Sequence, residues 1–300
     1  MTRLIVVFLS LIYFNTVAQE IAITFDDAPT GDGPLFTGEE RTKQIIDHLK
    51  HHKVKEAAFF VLTGNISSAN RPRLQRYVRA GHLLANHSHS HVWIHRSGTA
   101  NYIRDVSTAD SLLRTYKGYM PWFRYPYLDE GRTVPARDSI RAALKALQLS
   151  NGYVTVDNYD WYLNHLVKQA KADQKNINEA KLRKIYVDHI FNSLLFYDQI
   201  ARNHLGRSPK HVLLLHENDV AALFLGDLIS HLKANGWTII SPREAYRDPI
   251  AGHVPDVLFN GQGRIAAIAR EKGVPPRELV QTSEDESYLD SLVQEMKVFD

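Results

Sequence analysis

Cysteine is absent from the 300 residues, which excludes disulfides, thiolate metal sites, iron–sulfur clusters and cysteine nucleophiles. Any transition metal held by this chain must therefore take histidine and carboxylate ligands. An excess of one charge is missing too: 36 Lys and Arg face 33 Asp and Glu, a formal net charge of +3. That balance argues against a protein held to nucleic acid or to an anionic membrane mainly by charge. Long apolar runs are scarce, and the one over residues 4–14 is too short for a comfortable membrane span. No internal repeat or low-complexity linker is visible.

What stands at the N-terminus is Arg3, that apolar run, then small residues at Thr16 and Ala18. This is the layout of a secretory signal peptide over residues 1–18, with a cut after Ala18. A buried first strand or an uncleaved anchor would use similar residues. The expectation is a secreted or periplasmic protein without stable membrane insertion. With no disulfide available, its stability must come from the core.

Beyond residue 18, short apolar or β-branched runs alternate with helical patterns. Strands are expected at 21–25, 57–62, 82–85, 122–125, 153–156, 212–215 and 237–240. Helices are expected at 39–52, 70–80, 102–116, 135–147, 179–203 and 220–235, with Gly81 and Gly236 as stops. Such alternation implies βα units and a parallel sheet. Seven units with short buried strands suit a distorted (β/α)7-type barrel, an α/β fold, over residues 20–247. It carries a Lys-rich helical insertion at about 162–210. From about residue 248 to 300 the chain becomes Pro- and Gly-punctuated, with helical patterns at 264–272 and 288–296, and reads as an appendage wrapping the barrel.

Polar residues that look out of place fall where the strands end, which in a parallel barrel is the rim that holds the active site. The first strand ends in Thr24-Phe25-Asp26-Asp27. Two adjacent carboxylates make sense beside a cation or with different jobs, although an Asx turn before Pro29 would also account for them. The third strand runs into Asn86-His87-Ser88-His89-Ser90-His91. His87 and His91, four apart, would face the same way on one helical turn and could share a metal, with Asp27 as third ligand. His89 would then point away and His95 would lie on the surface; a histidine-rich exposed loop is the competing account. The fourth strand ends Phe123-Arg124-Tyr125-Pro126-Tyr127, where Arg124 could orient a carboxylate or pair at the surface. The fifth ends Asp157-Asn158-Tyr159-Asp160-Trp161: a polar pocket with a sugar-stacking wall, or a core tryptophan. The sixth delivers His216 after Leu213-Leu214-Leu215. A lone histidine there is usually structural, but it is the fifth rim position with a titratable group.

In this order the five segments resemble the five motifs of the polysaccharide deacetylase family, also called the NodB-homology family or carbohydrate esterase family four. The likeness covers roughly residues 20–245, and T-F-D-D and H-S-x-x-H are its specific parts. The resemblance implies a divalent metal, zinc first, held by Asp27, His87 and His91. It implies Asp26 as catalytic base held by Arg124, and His216 as general acid with Asp160 as partner. It makes the Tyr127 backbone N–H an oxyanion donor, and Leu214 and Trp161 walls of the acetyl pocket. In that scheme the metal polarises the acetyl carbonyl and acidifies a water, Asp26 takes the proton, and His216 protonates the leaving amine. The chain departs from the family pattern at Ala28 and Leu128, where glycine is usual.

The implied function is hydrolytic removal of acetyl from N-acetylated sugars of a chitin-like or peptidoglycan glycan. O-acetyl esterase action on xylan or another acetylated glycan is the alternative, and a non-catalytic glycan-binding protein on the same fold a remote one. The expected partner is an acetylated glycan, not nucleic acid.

Overall fold

A computed structural model of the protein describes residues 19–300. The leader expected over residues 1–18 lies outside the described residues. The strands are β1 (Gln19–Ala28), β2 (Ala58–Val61), β3 (Leu83–Asn86), β4 (Tyr119–Phe123), β5 (Ser150–Asn151), β6 (His211–His216) and β7 (Trp237–Ile239). The helices run α1 (Gly38–His51), α2 (Arg71–Arg79), α3 (Ile94–Ser97), α4 (Thr99–Leu113), α5 (Val134–Ala146), α6 (Asp160–Ala172), α7 (Glu179–Leu205), α8 (Asp219–Ala234), α9 (Pro242–Ala245), α10 (Arg264–Glu271) and α11 (Glu286–Glu295).

The strands form a parallel sheet in the order β5-β4-β3-β2-β1-β6. Ile21 of β1 pairs with both His211 of β6 and Ile239 of β7, so β7 takes the edge of β1 that β2 occupies from Thr24 onward. Strands buried on both faces read as continuous apolar runs, which is why Ile21–Phe25 and Val212–Leu215 are legible as strands. Helix starts follow local chemistry. Thr37 and Glu40 build a capping box on α1, and Thr133, Asn178 and Asn218 cap α5, α7 and α8.

One expected strand, 153–156, does not form as read. The ladder partner of β4 is Ser150–Asn151, and the chain then crosses to β6. Thr155 and Val156 both donate their N–H to Val212 O, and Leu214 N–H donates to Val156 O. Val154 O instead accepts the N–H of Arg264 in the C-terminal segment. With its backbone groups divided between two partners the stretch cannot run as a regular ladder. It does bring the two ends of the sheet together, as one bridge between Val156 and Leu213.

The segment read as an insertion forms α6 and α7. Leu163, Val167, Ile185, Tyr186, Ile190 and Leu194 are buried in the same apolar cluster as β1 and β6. The lysines that made this stretch look separate lie on its solvent face. The C-terminal segment joins that cluster through Ile265, Ile268, Leu289 and Val298. Among the described residues no helix is long and apolar enough to cross a membrane.

Candidate active site

β1, β3, β4 and β6 all deliver polar residues at their C-terminal ends, and parallel pairing gathers those ends on one rim. A strand sends neighbouring side chains to opposite faces, yet Asp26 and Asp27 line the same cleft. The pairing of β1 with β2 loses register between Phe25 and Ala28, and Asp27 is left-handed at φ 69°. That irregularity turns the second carboxylate back toward the first.

Asp26 is buried, and Arg124 Nη1 donates to its Oδ1 at 2.6 Å. The same guanidinium donates to Thr24 Oγ1 at 2.8 Å, to Gly152 O at 2.8 Å and to Tyr246 Oη at 3.1 Å, and it lies over the Phe60 ring at 3.7 Å. Gly152 is required there, because a Cβ at this position would stand 2.5 Å from the Phe60 ring. Of the Asp26 oxygens, Oδ2 is left facing the cleft, 3.6 Å from His87 Nε2.

His87 and His91 do meet, but not on a helical turn. Residues 87–91 are a loop in which Ser88 (φ 74°) and His91 (φ 52°) are left-handed. The Asn86 side chain accepts Ser88 N–H and the Ser88 hydroxyl accepts His91 N–H, which folds the loop so that the rings lie 5.0 Å apart. His87 and His91 each place Nε2 3.6 Å from Asp27 Oδ1. That oxygen is buried without a hydrogen-bond partner among the described residues. The three ligand atoms lie within 4.8 Å of one another. Tetrahedral donors on an ion at about 2.1 Å stand about 3.4 Å apart, so the set fits a small divalent cation. His87 Nδ1 donates to Arg124 O at 2.9 Å, which leaves Nε2 as the lone-pair nitrogen. Burial first, then His91, pushes the His87 imidazole down to about 3, so it is neutral as a ligand must be. His89 turns the other way, its Nδ1 against Thr63 Oγ1, and His95 sits 3.7 Å from Asp129.

Across the cleft, Asp160 opens α6 and His216 ends β6. Asp160 Oδ1 meets His216 Nδ1 at 2.7 Å, and its Oδ2 accepts the His216 N–H and the Asn218 amide. Burial disfavours the imidazolium, but Asp160, with Asp27 and Asp26 behind it, pushes the ring up to about 10. Asp157 also lines the cleft, and burial holds its carboxyl well above the usual carboxylate range.

The cleft has a volume of about 500 Å³. Leu214 forms part of its floor, and Trp161, Tyr127 and Trp93 form partly exposed aromatic walls. Tyr127 lies 4.5 Å from the His91 ring and 4.2 Å from Trp93. Tyr127 (φ 58°) and Leu128 (φ 48°) are consecutive left-handed residues. That conformation costs a residue with a Cβ roughly 1–2 kcal/mol, which explains why glycine suits the second position.

Trp93 escaped the sequence reading, and so did three contributors from the C-terminal part of the chain. Tyr246 reaches Arg124 from beyond β7, while Gly261 and Glu286 of the C-terminal segment line the cleft. No motif marks them, because only the path of the chain around the barrel brings them in. Ser283 further ties that segment to the site: its hydroxyl meets His189 Nδ1, and His189 Nε2 accepts Tyr159 N–H.

A sequence model described as polysaccharide deacetylase matches residues 15–151. The chain is 33% identical over 234 residues to the chitin deacetylase of Colletotrichum lindemuthianum, covering 76% of this chain and 79% of that one. It is 34% identical over 110 residues to a peptidoglycan-N-acetylglucosamine deacetylase of Bacillus cereus, spanning only 36% of that relative's length. The solved structure of the peptidoglycan deacetylase PdaC from Bacillus subtilis superimposes with a TM-score of 0.50 at 22% identity, over 77% of this chain and 93% of that one, which speaks for the fold alone.

Proposed function

The chain belongs to the polysaccharide deacetylase family, and on that premise we propose that it is a metal-dependent hydrolase removing acetyl groups from N-acetylated sugars of a glycan. One observation carries the reading. A three-ligand set, a carboxylate held by a buried arginine and a histidine held by a buried aspartate all face one cleft.

Asp27, His87 and His91 would hold the metal, with zinc the ion best matched to two imidazoles and a carboxylate. Once bound, such an ion supplies Lewis-acid polarisation of the acetyl carbonyl and a lowered pKa for water. Asp26 takes the proton of the attacking water on Oδ2, since Oδ1 is engaged by Arg124. Arg124 keeps that carboxylate in one orientation through its contacts to Thr24, Gly152 and Tyr246. The Tyr127 N–H donates to the developing oxyanion. His216, cationic beside Asp160, gives its Nε2 proton to the departing sugar nitrogen, and acetate and a free amine result. Leu214 and Trp161 bound the acetyl pocket, and the exposed face of Trp161 suits stacking on a sugar ring.

The same chemistry can serve an ester, and a glycan binder could keep the fold without it. We place the catalytic side chains within residues 20–247, with the segment 248–300 completing the cleft wall, and the protein outside the cytoplasm, supported by the leader-like composition of residues 1–18. The deciding experiment compares acetate release from N-acetylglucosamine oligomers with release from acetylated xylan. Release from the former, lost on chelation and restored by zinc, is expected. Release from xylan alone would make it an O-acetyl esterase, and none from either would sink both enzymatic readings.

A further inference from the structure

One residue past His216, Glu217 is fully buried at the barrel mouth. Its backbone N–H donates to Asp26 O at 3.0 Å, and its carbonyl accepts Thr30 Oγ1 at 2.7 Å. Its carboxylate accepts the Thr30 N–H at 2.6 Å, Tyr77 Oη at 2.6 Å and Arg73 Nη2 at 2.5 Å. Arg73 in turn donates to Thr30 O at 2.6 Å. Glu217 therefore holds both ends of the segment 26–30, which contains Asp26 and Asp27.

A buried carboxylate is costly unless it is paired and hydrogen-bonded. Tying α2 to the sheet would need only Arg73 and Tyr77. The carboxylate's contacts to Thr30 go instead to the segment that carries the two aspartates, whose other end meets Glu217 only through its backbone. The strand holds this segment only at intervals: Asp26 pairs with His216 of β6 and Ala28 with Val61 of β2, but the register with β2 is lost between Phe25 and Ala28, and Asp27 is left-handed. Thr30, beyond the last paired residue, is held instead by Glu217 and Arg73.

We propose that Glu217 is a positioning residue: its carboxylate fixes Thr30 at the end of the segment 26–30 and so sets where Asp27 stands relative to His87 and His91. It lies outside the group that lines the cleft and acts through Thr30 on Asp27. The inference rests on reading Asp27 as a metal ligand and Asp26 as the base.

The test compares the full chain with Glu217→Gln, Glu217→Asp and Asp198→Asn. Asp198 is a buried carboxylate at the far end of β6, where it meets His211 and Arg202, and it controls for plain loss of stability. Zinc affinity is measured by titration calorimetry, kcat and KM by acetate release, and Tm by calorimetry. Both Glu217→Gln and Asp198→Asn should lower Tm. Only Glu217→Gln should also weaken zinc binding and lower kcat, each by about tenfold or more, with KM within about twofold. Glu217→Asp keeps the charge but is one methylene shorter, and should move both in the same direction by less. If Glu217→Gln does not fold, Glu217→Asp decides. Zinc affinity and kcat within about twofold of wild type in the folded Glu217 variants would overturn the proposal, as would equal losses in Asp198→Asn. A wild type that releases no acetate would instead refute the functional reading, while the zinc titrations would still report on Glu217.

Discussion

Asp160 holds His216 twice: its Oδ1 stands 2.7 Å from the ring Nδ1, and its Oδ2 accepts the backbone N–H at 2.9 Å. The ring is thereby fixed in orientation and kept protonated, pushed up to about 10 against the opposing effect of burial. Asp160→Asn removes that charge while keeping the side chain's size. The alkaline limb of the kcat/KM profile should then fall by at least about one pH unit. An unmoved limb would show that Asp160 does not set the acid.

The same shift has a stability consequence. A histidine raised above its ordinary 6.5 contributes stability that is fully present below that value and lost as pH rises toward about 10. In the metal-free protein, the melting difference between wild type and His216→Gln should therefore shrink as pH rises from 6.5 to about 10. A difference that grows over that window would contradict the sign.

Asp26→Asn should abolish turnover and leave bound zinc largely intact. It removes the proton acceptor and leaves Asp27, His87 and His91 in place. Metal content by mass spectrometry alongside acetate release checks both halves. Substantial residual turnover would refute the assignment of the base.

His216→Ala should lower kcat by about 100-fold or more on an N-acetyl sugar, where the leaving nitrogen must be protonated. An acetyl ester with a good leaving group should suffer less. Equal losses on the two substrates would count against a general acid at this position.

Ile190→Ala, in the middle of α7, should destabilise the chain by about 2–5 kcal/mol, because it opens a cavity in a shared core. Denaturant unfolding measures it. A loss under about 0.5 kcal/mol would mean that the helix is the separable insertion its lysine content suggested.

Much of the architecture was legible in the residues. Strands buried on both faces cannot alternate, so β1, β2 and β6 stood out as apolar runs, and Gly81 and Gly236 marked the ends of α2 and α8. The stretch 153–156 misled because its β-branched composition is genuine while its backbone partners are split between β6 and Arg264. The spacing of His87 and His91 pointed to two rings that the structure does bring together, but for a different reason. Two left-handed residues and two short side-chain hydrogen bonds, rather than a helical turn, bring the rings together.

By itself the sequence determined the chemistry available to this protein. Without cysteine, a metal site had to be built from histidine and carboxylate, and titratable residues at successive strand ends named the candidates. Those choices are local, since a strand's end is set by its own composition. Only the tertiary structure decided which groups act together. Arg124 and Asp26, 98 residues apart in the chain, meet because β1 and β4 share one rim. Tyr246 and Glu286 join the site through contacts between distant parts of the chain, and such contacts leave no period or spacing in the sequence. A pattern along the backbone records what a residue can do; burial and long-range pairing decide what it does.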